Sequence, residues 1–123
     1  MKLSQAEEQL MEFIWRCEAA FMKDIMEHYP EPKPASTTLA TLLKRLQDKG
    51  AIAYRLFGNS RQYYPLIAKD EYFSRYLENL VKKFFGNSSL QFASFFTTAG
   101  NLSEKELEAL KKIVEKEIIR RKK

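Results

Sequence analysis

The sequence predicts a mainly α-helical fold, in which three helices and one β-hairpin are followed by three more helices. Two observations support this prediction. Apolar residues recur with helical spacing along most of the chain, and two short segments rich in β-branched and aromatic residues flank a Gly-Asn turn. The strand signals end near residue 68, so we expect residues 1–68 and 69–123 to form separate domains.

The first two helices are predicted as scaffold. Ser4 and Glu7 have the spacing of a capping box, which indicates that a helix begins there. Its predicted apolar face consists of Ala6, Leu10, Phe13, Ile14 and Cys17. A shorter helix over residues 21–29 ends before the three prolines at positions 30, 32 and 34, because proline interrupts helical hydrogen bonding.

The third helix, over residues 35–50, has two contrasting faces. Its leucines form a stripe suited to burial, and its polar residues lie opposite. The stripe contains Leu39, Leu42, Leu43 and Leu46, and the polar face contains Thr37, Thr41, Lys44 and, at its edge, Arg45. Ser36 is the predicted N-cap and Gly50 the predicted C′ residue. Hydroxyls near the start and cations further along suit a helix that enters a DNA major groove, although an ordinary solvated face has the same pattern.

A β-hairpin is predicted directly after this helix, from residues 51–57 and 61–66 around Gly58-Asn59-Ser60. A helix that leads into a hairpin is the layout of a winged helix-turn-helix, with the hairpin as the wing. Arg55 and Arg61 are then placed to contact phosphates or the adjacent minor groove. Pro65 lacks a backbone donor, so we expect it near the end of an edge strand.

Three helices are predicted from residue 70 onwards, with breaks at residues 86–89 and at Gly100-Asn101. A second capping box, Ser103 with Glu106, opens the last helix. Their apolar faces are wider than a segment of this length can bury, which predicts a two-fold dimer. A pocket for a small ligand is the alternative use of these aromatic residues. The predicted dimerisation residues are Tyr72, Tyr76, Leu80, Phe84, Leu90, Phe92, Phe95, Phe96, Leu107, Leu110, Val114 and Ile118.

Composition favours a polyanionic partner. Among 123 residues, 21 lysines and arginines stand against 16 acids, which gives a net charge of +5. With one cysteine, Cys17, and one histidine, His28, the chain offers neither a disulfide framework, nor a four-ligand metal site, nor a nucleophile-histidine pair. We therefore expect no enzyme activity, no metal and no cofactor. No apolar run suits a membrane span and no signal peptide is apparent, so we expect a cytoplasmic protein without membrane insertion.

Short matches in a constant order connect the chain to a known family. They lie at residues 3–7, 14–15, 24–25, 36–46, 49–50, 63–66, 71–72, 85–88 and 102–107. Over nearly its whole length the chain resembles the penicillinase repressor family. The resemblance implies a homodimeric transcriptional repressor, with an N-terminal winged helix on a palindromic operator and a C-terminal helical dimerisation domain. It also implies release from DNA when a membrane-embedded sensor protease triggers cleavage of the repressor.

Three departures from the family pattern bear on mechanism. Where the family is cleaved between Asn and Phe, the equivalent residues are Phe95 and Phe96. The paired C-terminal cysteines of the copper-responsive members are missing, which argues against copper sensing. The arginine that usually follows the wing glycine is Asn59, and Arg61 stands two residues further on.

The leading hypothesis is a sequence-specific DNA-binding repressor. Thr37, Thr38 and Thr41 are the predicted base-reading residues, and Ser36 with the helix N-terminus is expected to anchor the DNA backbone. The predicted phosphate contacts are Lys44, Arg45, Arg55 and Arg61. The alternative is a winged-helix module that binds another protein and has no sequence-specific DNA binding.

Overall fold

The computed structural model describes residues Met1–Lys123 and confirms the mainly α-helical class with a winged-helix arrangement. In chain order the elements are α1 (Gln5–Cys17), β1 (Ala20–Phe21), α2 (Met22–His28), α3 (Ser36–Asp48), β2 (Ile52–Phe57), β3 (Ser60–Pro65), α4 (Lys69–Phe84), α5 (Ser89–Ala99) and α6 (Glu104–Lys122). The chain forms two compact units, Met1–Ser74 and Arg75–Lys123. The predicted division after residue 68 stays a prediction, and α4 begins at that point.

The first unit contains one hydrophobic core, to which all of its helices contribute. The predicted stripe of α3 is confirmed, since Leu39, Leu43 and Leu46 are buried and Leu42 packs half-buried against them. On α1 the buried face differs from the prediction. Ala6 is exposed and Met11 is fully buried, because the inward face is centred on Leu10 and Ile14.

Helix ends in this unit follow local hydrogen bonding. The predicted capping box of α1 is confirmed, with Ser4 Oγ accepting from the Glu7 amide and Glu7 Oε1 accepting from the Ser4 amide. The prediction of Ser36 as N-cap was wrong. Ala35 is the N-cap, because its carbonyl accepts from the Leu39 amide at 3.0 Å, and Ser36 is the first helical residue. Gly50 follows the C-cap at φ +78°, as predicted for a C′ glycine.

The hairpin belongs to a three-stranded antiparallel sheet with the order β1-β3-β2. Strand β1 was not predicted, and it pairs Ala20 with Tyr63 and Phe21 with Gln62. Consequently Phe21 lies before α2 and not within it. The prediction of an edge strand for Pro65 was also wrong, since β3 is central. Pro65 is tolerated as the last residue of β3, opposite Ile52, beyond the two residues that pair with β1.

The first turn of α4 packs against α1 inside the first unit. Trp15 Nε1 donates to the Ile67 carbonyl at 2.9 Å, and its ring contacts the rings of Tyr72 and Phe73. The Tyr72 hydroxyl donates to Glu8 Oε2 at 2.5 Å. Tyr72 was expected at a dimer interface, but this ring is 5% exposed and lies in the core of the first unit.

The second unit consists of helices with wide exposed apolar faces. Ser88 caps α5, and Ser103 with Glu106 forms the predicted capping box of α6. Helix α5 extends to Ala99, directly before the predicted break at Gly100-Asn101. Neither α5 nor α6 has a buried residue. None of the helices is long and apolar enough to span a membrane.

Candidate nucleic-acid interface

The outward face of α3 carries the polar residues that the sequence singled out. Thr37, Thr38 and Thr41 are exposed, and the buried leucines fix the opposite side of the helix in the core. The N-terminus of α3 has no side-chain cap and no acidic residue in its first turn. Its first amides therefore remain available to an anion, in contrast to those of α1, which Ser4 and Glu7 cap.

The hydroxyl of Thr41 is already committed as a donor. Thr41 Oγ1 donates to the Thr37 carbonyl at 3.0 Å, four residues earlier on the same helix. The oxygen keeps its acceptor lone pairs and the side chain keeps an exposed methyl group. This geometry suits acceptance from the amino group of adenine or cytosine, or contact with the methyl group of thymine.

Cations extend this face towards the end of α3. Lys44 Nζ pairs with Asp48 Oδ1 at 3.0 Å, but both side chains are well exposed, at 69% and 61%. Such a pair contributes at most about 1 kcal/mol, so a phosphate can displace Asp48. Arg45 is exposed as well. The Thr37, Thr41, Lys44 and Arg45 side chains therefore follow one another along the exposed side of α3.

Lys49 has a different role from its neighbours on α3. Its Nζ donates to Glu7 Oε1 at 2.7 Å and to the Lys2 carbonyl at 2.9 Å, which ties the end of α3 to the start of α1. Burial by itself raises the pKa of Glu7, which is 2% exposed, but hydrogen bonds from Lys49 and Ser4 outweigh it and lower that pKa overall. Sequence reasoning missed this pair, because its members lie 42 residues apart.

The two wing arginines lie on opposite faces of the hairpin. Residues directly paired across antiparallel strands share a face, and Arg61 pairs with Leu56 whereas Arg55 pairs with Gln62. Arg61 is on the same side as Tyr54, and its guanidinium lies over that ring at 4.3 Å from the centroid. This is the core-facing side, which also carries the buried residues Ala20, Ile52 and Tyr63.

Arg55 lies on the face of the sheet opposite to the core-facing side. Its guanidinium is 5.1 Å from the centroid of the Tyr64 ring. On the same face Phe57 meets Phe21 edge-on, with ring centroids 5.9 Å apart. These aromatic contacts could not be predicted from the sequence, because they depend on the register of three strands.

The expectation that the chain offers no nucleophile-histidine pair was wrong, since Cys17 and His28 lie close together. The chain contains no group of three or more His, Cys, Asp or Glu residues that could hold a metal ion. Cys17 Sγ lies 3.3 Å from His28 Nε2. Burial, together with the negative charges of Asp24 and Glu27, raises the pKa of the Cys17 thiol, so it stays protonated at neutral pH.

The remaining predicted dimerisation residues are at least partly exposed. The most exposed of them are Leu90 at 84% and Phe84 at 68%. Phe95 and Phe96, which were predicted as the equivalents of the family's cleavage positions, lie inside α5 and are also exposed. Phe85 contacts Phe92 and Phe95, with ring centroids 5.5 and 5.6 Å apart, so these three residues form one aromatic cluster.

Comparison with known proteins gives a consistent set of relatives. The model of a family described as "Penicillinase repressor" matches residues 3–116. The chain is 28% identical over 116 residues, 94% of either chain, to the "Methicillin resistance regulatory protein MecI" of Staphylococcus aureus (strain N315). Proteins with the same description from Staphylococcus epidermidis and Mammaliicoccus sciuri match with the same identity and coverage.

Proposed function

The chain belongs to the penicillinase repressor family, and we propose that it is a homodimer that binds a palindromic operator in double-stranded DNA and blocks transcription by occupying the promoter. Family membership and the MecI relatives support a DNA-binding transcriptional repressor. The observation that carries the finer proposal is the outward face of α3. It combines exposed threonines, an uncapped N-terminus and cations on one side of a helix that leucines hold in the core.

Base reading is assigned to the threonines of this face. Thr37, Thr38 and Thr41 are exposed near the start of α3, where a recognition helix meets base edges. Ser36 and the uncapped amides are assigned to a phosphate, because an anion there satisfies the free N–H groups and the helix dipole. Lys44, Arg45, Arg55 and Arg61 are assigned to phosphates, which bind cations without regard to sequence.

Dimerisation is assigned to the second unit. Its helices expose apolar side chains such as Tyr76, Phe84 and Leu90, and α5 and α6 have no buried residue in the single chain. A second copy would cover these faces and place two α3 helices on two half-sites. The same proposal includes a membrane-embedded sensor protease as the partner that triggers cleavage of the repressor. It also includes a cytoplasmic location, which gives the protein access to DNA.

A titration with fluorescent DNA tests the proposal. Wild-type protein, Thr41→Ala and Arg45→Ala are compared by anisotropy on a palindrome from the upstream region of the gene, at two salt concentrations and with unrelated competitor DNA. Arg16→Ala is the matched control, since Arg16 is an exposed cation on α1 that pairs with Glu12.

We expect competitor-resistant binding with two protomers per site. Thr41→Ala should lose discrimination at one base position in each half-site by about 1 kcal/mol, roughly fivefold. Arg45→Ala should weaken binding to all sequences and reduce the salt slope by about 0.9 per protomer. Equal losses on every sequence for Thr41→Ala would contradict its assignment to base reading. Wild-type binding that unrelated DNA abolishes would favour the protein-interaction module.

A further inference from the structure

The turn between α2 and α3 offers few backbone donors to the end of α2. The last carbonyls of an α-helix need donors from the residues that follow it. Prolines stand at positions 30, 32 and 34, and proline has no N–H group. Tyr29, the C-cap of α2, has extended backbone with φ −74° and ψ 137°, so the helix also ends without a left-handed residue. A side chain is therefore needed to supply the missing donors.

Lys33 supplies donors to the end of α2. Its Nζ donates to the Tyr29 carbonyl at 2.7 Å and to the Met26 carbonyl at 3.0 Å, which the Tyr29 amide also reaches at 3.2 Å. The ammonium group there meets the negative end of the helix dipole. The ring of Tyr29 is 8% exposed and packs edge-on against Phe13, with ring centroids 4.8 Å apart. The contact of Lys33 with the two carbonyls, the Lys33 clamp, therefore closes the turn onto a fixed point of the core.

The first turn of α3 has no buried residue. Residues 35–38 are all exposed, and Leu39 is the first buried residue of the helix. No side chain caps this end of α3. The position of the first turn then depends on the chain that enters it, in which Pro34, with its restricted φ, connects Lys33 to the N-cap Ala35.

We propose that Lys33 is a positioning residue for DNA reading, whose clamp on α2 sets the place of Thr37 and Thr38 against the bases. Thr41 lies beyond Leu39, where buried leucines hold the helix, so its contact with DNA is independent of the clamp. This proposal rests on the proposed function and adds a residue that acts on specificity through the start of α3, without touching DNA itself.

The hydrogen bonds of Lys33 favour this role over direct contact with a phosphate. An ammonium group has three donors, and two of them are committed to carbonyls within 3.0 Å. Moving Lys33 to a phosphate would break both bonds at a helix end where prolines cannot replace the donor. Lys44, by contrast, gives up only one exposed carboxylate when it meets a phosphate.

Amide hydrogen exchange of the free protein, followed by NMR, tests the clamp without DNA. The Leu39 amide donates to the Ala35 carbonyl at 3.0 Å and so reports on the first turn of α3. We expect Lys33→Met to speed its exchange about fivefold and to leave the Leu43 amide unchanged. Lys33→Arg should restore slow exchange, because a guanidinium can donate to the same carbonyls. Lys23→Met is the matched control, since Lys23 is an exposed cation of α2 and should leave both amides unchanged.

Binding to operator variants tests the effect on DNA reading. Anisotropy is measured on the operator and on single-base changes made in both half-sites. The positions read by Thr38 and Thr41 are defined by the discrimination that Thr38→Ala and Thr41→Ala lose. We expect Lys33→Met to lose about fivefold discrimination at the Thr38 position and none at the Thr41 position. Its salt slope should match the wild type, and combining it with Thr38→Ala should cause no further loss there. Lys23→Met should keep discrimination at both positions.

Three results would overturn the positioning role. Equal losses on every sequence with a smaller salt slope would make Lys33 a phosphate contact. Unchanged exchange of the Leu39 amide in Lys33→Met would show that the clamp does not hold the first turn. Discrimination that survives at the Thr38 position would limit Lys33 to the stability of α2. Failure of the proposed function is distinct, since wild-type protein would then show no competitor-resistant binding, while exchange of the Leu39 amide would still report on the clamp.

Discussion

Replacing Lys49 with methionine removes the cation that meets the buried carboxylate of Glu7. The two side chains are joined at 2.7 Å, and Glu7 is 2% exposed whereas Lys49 is 38% exposed. Breaking a buried ion pair from one side costs about 3–5 kcal/mol, and a single charged hydrogen bond contributes about 1.5–3 kcal/mol. Lys49 is partly solvated and Glu7 keeps its bond from the Ser4 amide. We therefore expect a loss near 2 kcal/mol at neutral pH.

Urea denaturation followed by circular dichroism measures this loss. With an m-value of about 2 kcal/mol/M, the midpoint should fall by about 1 M. All proteins are compared at one concentration, because a dimer is stabilised by mass action. Lys44→Met is the control, since its pair with Asp48 is exposed on both sides and should cost less than about 0.5 kcal/mol.

The pH dependence gives the sharper test. In the wild type, hydrogen bonds from Lys49 and Ser4 lower the pKa of Glu7 against the opposing effect of burial. The contribution of the ionised Glu7 to the free energy of unfolding is therefore complete above the unfolded pKa of about 4.3. It is lost as the pH falls through the lower pKa of the folded state. Without the hydrogen bond from Lys49, the effect of burial is less opposed, and the pKa of Glu7 in the folded protein rises.

The stability difference between wild type and Lys49→Met should accordingly be largest near pH 7 and shrink between about pH 5 and pH 3. A difference that stays constant over this range would refute the assignment of the loss to the Glu7 carboxylate. Adding Glu7→Gln to Lys49→Met should recover part of the loss at pH 7, because an amide costs less to bury than an unpaired charge.

Three further variants probe the core, a helix end and the second unit. Leu43→Ala should lower the free energy of unfolding by about 2–5 kcal/mol in urea titrations, since Leu43 is 1% exposed. Gly50→Ala should cost only about 1 kcal/mol in the same assay, because φ is +78° but no atom lies within 4 Å of an added Cβ. Val114→Asp, at a half-exposed position of α6, should yield monomers by analytical ultracentrifugation and weaken binding to a palindrome more than to a single half-site. A dimer that persists in Val114→Asp would exclude this part of α6 from the interface.

Periodicity predicted the helices that carry their own local signals. The leucine stripe of α3 and the capping boxes of α1 and α6 were correct, because each depends on residues within one or two turns. Strand β1 was missed, since two residues have no periodicity and Ala20 is held by Tyr63, which lies far along the chain. The burial of Tyr72 was missed for the same reason, as its partners Glu8 and Trp15 are on α1.

The candidate interface was predictable in composition but not in geometry. The exposed face of α3 follows from its spacing, whereas the commitment of the Thr41 hydroxyl to the Thr37 carbonyl depends on its rotamer. Lys49 belongs to the same run of cations as Lys44 and Arg45 in the sequence. Its distinct role depends on Glu7, a residue that a capping box usually places at the surface but that here is buried by the fold.

The relation between the two wing arginines depends on one residue of loop length. With the two-residue turn of the structure, Phe57 pairs with Ser60 and Arg55 with Gln62, which sets Arg55 and Arg61 on opposite faces. If Ser60 belonged to the turn, Phe57 would pair with Arg61, and both arginines would share a face with it. A wing of that kind could offer its cations to only one phosphate strand. The placement of Arg55 and Arg61 on opposite faces therefore depends on Ser60 being the first residue of β3, and the residue types of Gly58-Asn59-Ser60 alone do not decide between the two registers.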